Sequence, residues 1–229
     1  MKPTILISGG SKGIGRAIAT HFHREHFDVI ICARSPQALE EVREALPGLH
    51  TYVCDMADKA AIKSLAAEIN ERFGALDVLV NNAGTYLPGA IHSEDDSVYE
   101  TLMATNMGSA YYLTKGLLPG MMQRRSGTIF NIASVAGIKA YDNGGSYSIS
   151  KFAMVGFSRN LREEMKPYNI RVVTVLPGAV KTASWDGVDI DENRLMPASD
   201  IAALVWNAWS LSDRTVVEDI IVRPALGDL

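Results

Sequence analysis

The chain has 229 residues, 47% of them hydrophobic, and a formal charge of −4. That length can bury a full core in one α/β domain, and scattered Lys and Arg under a negative balance exclude the basic footprint of a nucleic-acid binder. No run of about 18 apolar residues occurs, so no helix is expected to span a membrane. The first strand meets glycine before a signal-peptide core could form, and the expected location is cytoplasmic. Cys32 and Cys54 are not spaced as a metal site and read as buried free thiols. No Pro- or Ser-rich linker and no repeat divides the chain, so a single domain over 1–229 is expected.

Thr4 to Ile7 is a short apolar run that reads as a buried strand. Ser8-Gly9-Gly10-Ser11-Lys12-Gly13-Ile14-Gly15 follows, and Ile14, Ala17, Ile18 and Phe22 then fall at helical spacing. Strand, glycine turn and helix is the context of a dinucleotide fingerprint. Glycines let the backbone approach a pyrophosphate, and the helix N-terminus offers it free N–H groups. The spacing is G-x-x-x-G-x-G rather than the common G-x-G-x-x-G, and a plain glycine-rich turn is the competing reading. A Walker A loop is excluded because no Gly-Lys-Ser/Thr occurs here.

Asp28 to Ala33 reads as the second strand and ends at Arg34. Ser35 and Pro36 supply an N-cap and a first-turn proline for a helix through Leu46. His50 to Cys54 is a third strand, followed by Asp55-Met56, and Asp58 caps a helix to about Phe73. Leu76 to Val80 is a fourth strand, closed by Asn81-Asn82-Ala83-Gly84. A long helix from about Ser97 to Met122 precedes a fifth strand, Thr128 to Ala133, which ends at Ser134. Helix resumes from about Ser146 to Tyr168. Ile170 to Leu176 is a sixth strand, closed by Pro177-Gly178. Ala198 to about Leu211 is helical, and Val216 to Val222 fits a seventh strand. Continuous apolar strands alternating with helices predict a Rossmann-like, doubly wound parallel sheet of about seven strands, covered on both faces in three αβα layers.

Ligands on such sheets bind at the carboxyl ends of the strands. The chemistry-bearing residues cluster there: the glycine loop, Arg34, Asp55, the Asn81–Gly84 turn, Ser134 and Pro177-Gly178. Tyr147 and Lys151, four apart, share one face of the helix that follows Ser134. A nearby cation favours phenolate, so the pair makes a general acid or base. Tyr111 and Lys115 repeat the spacing, but well inside the preceding helix and far from a strand end, so they read as structural. His21, His23 and His26 resemble a metal cluster, yet positions 21 and 23 point to nearly opposite helix faces, which favours a solvated helix. An acid that would accept from the ribose of NAD is missing from the end of the second strand, where Ala33 stands. Arg34 beside it, with Lys12 in the glycine loop, suits the 2′-phosphate of NADP(H).

In combination these motifs, over about residues 4–182, resemble the short-chain dehydrogenase/reductase family, in its classical, NADP-preferring branch. Ser8 stands where that family usually has Thr. Ser134 lies 13 residues before Tyr147, and Tyr147 four before Lys151. The resemblance implies an NADP(H)-dependent oxidoreductase, a carbonyl reductase moving hydride between nicotinamide and a carbonyl or secondary alcohol. It implies Ser134 as hydrogen-bond donor to the substrate oxygen and Tyr147 as acid/base. It also implies Lys151 as the residue that lowers the Tyr147 pKa and holds the ribose, and Asn106 as the holder of a water. Cofactor contacts implied are Gly9, Ser11, Lys12, Gly13, Ile14, Gly15, Arg34, Asp55, Met56, Asn82, Ala83, Gly84, Tyr147, Lys151, Pro177, Gly178, Val180 and Thr182. Trp185 and the loop through Leu195 are expected to cover the pocket, with Tyr141, Asp142 and Asn143 beside it. A homotetramer or homodimer is expected through the two long helices. Two alternatives stay open: a catalytically idle NADP(H)-binding regulator, and a 3-hydroxy acid dehydrogenase of the same family.

Overall fold

The structure, a computed structural model, describes residues 2–185 and 187–228. Its strands are β1 (Thr4–Ser8), β2 (Asp28–Ala33), β3 (His50–Val53), β4 (Val78–Asn81), β5 (Gly127–Ile132), β6 (Ile170–Pro177) and β7 (Asp219–Val222). All pair in parallel, in the order β3-β2-β1-β4-β5-β6-β7. The helices are α1 (Gly13–Arg24), α2 (Pro36–Ala45), α3 (Lys59–Phe73), α4 (Asp96–Leu102), α5 (Ser109–Arg124), α6 (Gly145–Met165) and α7 (Ala198–Trp209). This is the expected doubly wound Rossmann-like sheet. The chain reverses its winding between β1 and β4, which opens a crevice there for a ligand.

The pleat sorts the core into two layers. Ile5 and Ile7 pack with Ile18 and Phe22 of α1, Leu39 of α2 and Ile201 of α7. Leu6, between them, packs to the other side with Ile62 of α3, Leu113 of α5 and Leu161 of α6. Each fully buried Ile or Leu side chain contributes roughly 1.5–3 kcal/mol of transfer free energy. Three helix starts are fixed locally. Ser35 Oγ accepts from Ala38 N at 3.2 Å, Asp58 Oδ1 from Ala60 N at 2.7 Å, and Asp95 Oδ1 from Ser97 N at 2.9 Å. Such caps contribute about 1 kcal/mol each.

Three expectations shift. The long helix read over Ser97–Met122 is interrupted, because Met103–Gly108 widens into a π-helical turn in which Ser109 N bonds Ala104 O. Such turns admit one extra residue and recur at functional sites. The fourth strand starts later than Leu76, at Val78, where its register with β1 begins opposite Ile5; Asp77 leads in, its N donating to Thr4 O at 3.0 Å. The seventh starts at Asp219 rather than Val216, because Thr174 N reaches no further back than Glu218 O. Among the described residues no helix is long and apolar enough to cross a membrane.

Candidate active site

The crevice is built first by cross-links between β1 and β4. Ser8 Oγ accepts from Asn82 N and Ala83 N, both at 3.0 Å. Asn82 Nδ2 returns bonds to Ser8 O at 3.0 Å and Gly9 O at 3.1 Å. Gly15 admits the loop because a Cβ there would lie 2.4 Å from Gly9 O. Helix α1 then begins with an unusual end. Its N-cap, Lys12, is extended and offers no side-chain cap, and no acid stands in the first turn. The N–H groups of that turn are therefore left for an anion. Lys12 and Arg34 are exposed beside it, and Ala33 closes β2 without an acid. These residues fit the pyrophosphate and 2′-phosphate of a dinucleotide. Thr182 lies over the glycine loop, its Cγ2 3.1 Å from where a Gly13 Cβ would stand.

Other expected contacts divide. Asp55 is exposed at the rim, its Oδ1 accepting from Ala57 N at 2.9 Å. The Met56 side chain is buried instead, with Sδ 3.7 Å from Cys32 Sγ. The Val180 side chain also belongs to the core. Its neighbours close the base of the expected cover loop: Lys181 N donates to Met196 O at 2.8 Å and Met196 N to Ala179 O at 3.0 Å. Gly178 N is fixed by Val222 O at 2.8 Å.

Ser134, Tyr147 and Lys151 converge on one side of this crevice. Ser134 follows β5; its hydroxyl accepts from Ala136 N at 3.1 Å and donates to Pro177 O at 3.4 Å. Lys151 is buried, with Nζ 5.7 Å from the Tyr147 ring centre and donating to Ile132 O at 3.2 Å. Burial pulls the Lys151 ammonium down to about 8. The Tyr147 phenol moves opposite to expectation. Burial raises it above its ordinary value, the neighbouring Ser134 hydroxyl works against that rise, and Tyr86 adds to it. Desolvation of the phenolate is the largest of these causes.

Asn106 lies in the π-helical turn and is fully buried. Its Nδ2 donates to Thr85 O and to Ser150 Oγ, both at 3.0 Å, and its Oδ1 accepts from Thr85 N at 2.8 Å. Both amide donors are thus spent on tying the segment after Gly84 to α6. A Cβ on Gly84 would lie 3.2 Å from Asn106 Oδ1 and 3.7 Å from Lys151 Nζ, so the three share one space.

Tyr86 escaped the sequence reading. Its ring stands edge-on to Tyr147 at 4.8 Å and 87°. Burial and the two neighbouring phenols push Tyr141 upward. The available signal was an aromatic residue two places past the Asn81–Gly84 turn. Tyr111 and Lys115 lie elsewhere: Tyr111 is exposed on α5 and packs on Tyr112 and Phe157. His21 packs on Trp206 while His23 reaches Pro47 O at 2.9 Å, so they serve separate contacts.

A dinucleotide crevice beside a Ser–Tyr–Lys group defines the class: a Rossmann-fold oxidoreductase. The profile of the short chain dehydrogenase family matches residues 3–193, and the chain belongs to that family. It is 38% identical to the sepiapterin reductase of Chlorobaculum tepidum, over 100% of this chain and 99% of that one. It superimposes on the closed form of serine dehydrogenase complexed with NADP+ with a TM-score of 0.91, at 28% identity over 99% of this chain and 96% of that one. A metagenomic short-chain oxidoreductase in complex with NADP gives a TM-score of 0.86, at 28% identity over 97% of each.

Proposed function

We propose that the chain is an NADP(H)-dependent carbonyl reductase with Tyr147 as proton donor and Ser134 as donor to the substrate oxygen. The observation that carries this reading is the grouping of Ser134, the Tyr147 phenol and the buried Lys151 ammonium, 5.7 Å from the Tyr147 ring centre, beside a crevice whose helix end is left open. The cofactor, when bound, supplies the hydride. As the carbonyl oxygen gains negative charge, the Ser134 hydroxyl stabilises it and Tyr147 delivers the proton. Lys151 holds a ribose and, as a cation, favours phenolate once the proton has left. Asn106 keeps Gly84 and Thr85 against α6, so that the Lys151 pocket holds its shape.

Lys12 and Arg34, with Ala33 in place of an acid, support NADP(H) over NAD(H), as does the NADP in the two similar structures. The test is cofactor oxidation at 340 nm with aldehydes, ketones and β-keto acids. kcat/KM for NADPH is expected to exceed that for NADH by at least about tenfold, or 1.4 kcal/mol. Equal use of the two, or silence with every carbonyl, overturns the reading. A planar heteroaromatic ketone such as sepiapterin is favoured within the panel by Tyr86 and Tyr141, both 41% exposed at the mouth, and by the similarity to the sepiapterin reductase. Self-association is proposed through α5 and α6, where Tyr111, Ile149 and Phe152 stand exposed. A light-scattering mass at the 24.9 kDa of one chain would remove it.

A further inference from the structure

Helix α6 carries Tyr147 and Lys151, yet it has no cap of its own. Its N-cap residue is Gly144. The first turn is met by Glu94, 52 residues earlier in the chain, between Gly84 and α4. Glu94 Oε2 accepts from Ser146 N at 3.3 Å, and Oε1 accepts from the Ser146 hydroxyl. Ser146, the residue before Tyr147, is 2% exposed. The fit requires a glycine next to it. Gly145 has φ +38°, and a Cβ there would lie 2.2 Å from Gly89 O and 2.8 Å from Glu94 Oε2. Gly89 N closes the same seam on Asn143 O at 3.1 Å. Two rim loops, one bearing Tyr86 and the other Tyr141, are joined at this point.

We propose that Glu94 is a positioning residue: it grips Ser146 and so holds the first turn of α6, and with it the Tyr147 phenol, opposite Ser134. The proposal rests on Tyr147 being the proton donor. Charge-assisted bonds at a helix N-terminus suit a carboxylate. Displacing a reacting group by about 1 Å costs on the order of 10²-fold in rate, so a frayed first turn affects chemistry before binding. Lys151 lies a turn deeper and is anchored separately by Ile132 O.

The experiment compares Glu94→Ala, Glu94→Gln and Ser146→Ala in the full chain. It measures kcat and KM for a reducible ketone, NADPH Kd by fluorescence, and amide hydrogen exchange. Glu94→Ala is expected to lower kcat by about 10- to 100-fold while NADPH Kd stays within about twofold. Gln keeps one acceptor and recovers part of the loss. Ser146→Ala keeps the backbone bond, folds most readily of the three, and loses several-fold. Amides of residues 145–148 exchange faster in Glu94→Ala, whereas those of 155–165 do not. A kcat within twofold of the parent in both Ala variants, or a loss confined to KM or thermal midpoint, overturns the proposal. A parent chain silent with every carbonyl sinks the proposed reductase instead. The exchange measurement then decides alone, and unchanged exchange at 145–148 refutes the grip.

Discussion

Helices α1 and α6 both start at the carboxyl rim of the sheet, and neither is capped by its own N-cap side chain. At α6 the protein supplies a distant replacement in Glu94. At α1 it supplies none among the described residues; Lys12 stands exposed at the open end and Arg34 exposed just past β2. Elsewhere Ser35, Asp58 and Asp95 close their helices locally. An open helix end costs stability but fits an anion that arrives from solution; a closed one holds a side chain that must not move. On the proposed reading, the cofactor half of the rim is built to receive and the catalytic half to stay fixed.

Tyr147→Phe gives the sharpest separation of the two halves. kcat is expected to fall by about 10²- to 10⁴-fold, the range for loss of a general acid, with NADPH Kd within about twofold of the parent. Near-parent turnover by this variant would end the assignment.

Closing the α1 end should do the reverse. Lys12→Asp places a strong cap in an extended N-cap and removes a cation. NADPH Kd is expected to rise about 100-fold, close to 2.7 kcal/mol, while the unfolding free energy rises by about 0.5–1 kcal/mol. Lys12→Ser caps without reversing charge and separates the two contributions. Unaltered NADPH affinity in Lys12→Asp would show that the helix end takes no phosphate.

The smallest effect concerns pH. Lys151 is held down to about 8 by burial, so its positive charge is present below that value and lost above it. NADPH affinity should fall several-fold as pH rises from 7 to 9, and Lys151→Met should flatten the profile. Tyr147, raised rather than lowered, remains protonated over this range and does not obscure the measurement. A flat parent profile would remove the cationic role of Lys151.

Much of the rim is legible in the sequence, because its signals are local. Asp28–Ala33 matches β2 residue for residue, and Ser35 and Asp58 cap the helices assigned to them. The π-helical turn was not readable, since Met103–Gly108 carries no distinct pattern and is set by the need to seat Asn106 between Thr85 and Ser150. The burial of the Met56 side chain against Cys32 Sγ was not readable either, since it depends on β2 and the end of β3 lying side by side. Tyr86 and Glu94 were missed because their partners, Tyr147 and Ser146, are brought near only by folding.

By itself the sequence determined the alternation of strands and helices, the glycine loop, the missing acid at Ala33 and the four-residue spacing of Tyr147 and Lys151. Each depends on side-chain type and short-range periodicity alone. Only the tertiary structure decided which helix end stays open, which is gripped from 52 residues away, and in which direction the Tyr147 phenol shifts. Capping at a distance and desolvation are properties of what surrounds a group in space. That surrounding does not exist until β4, β5 and α6 have packed.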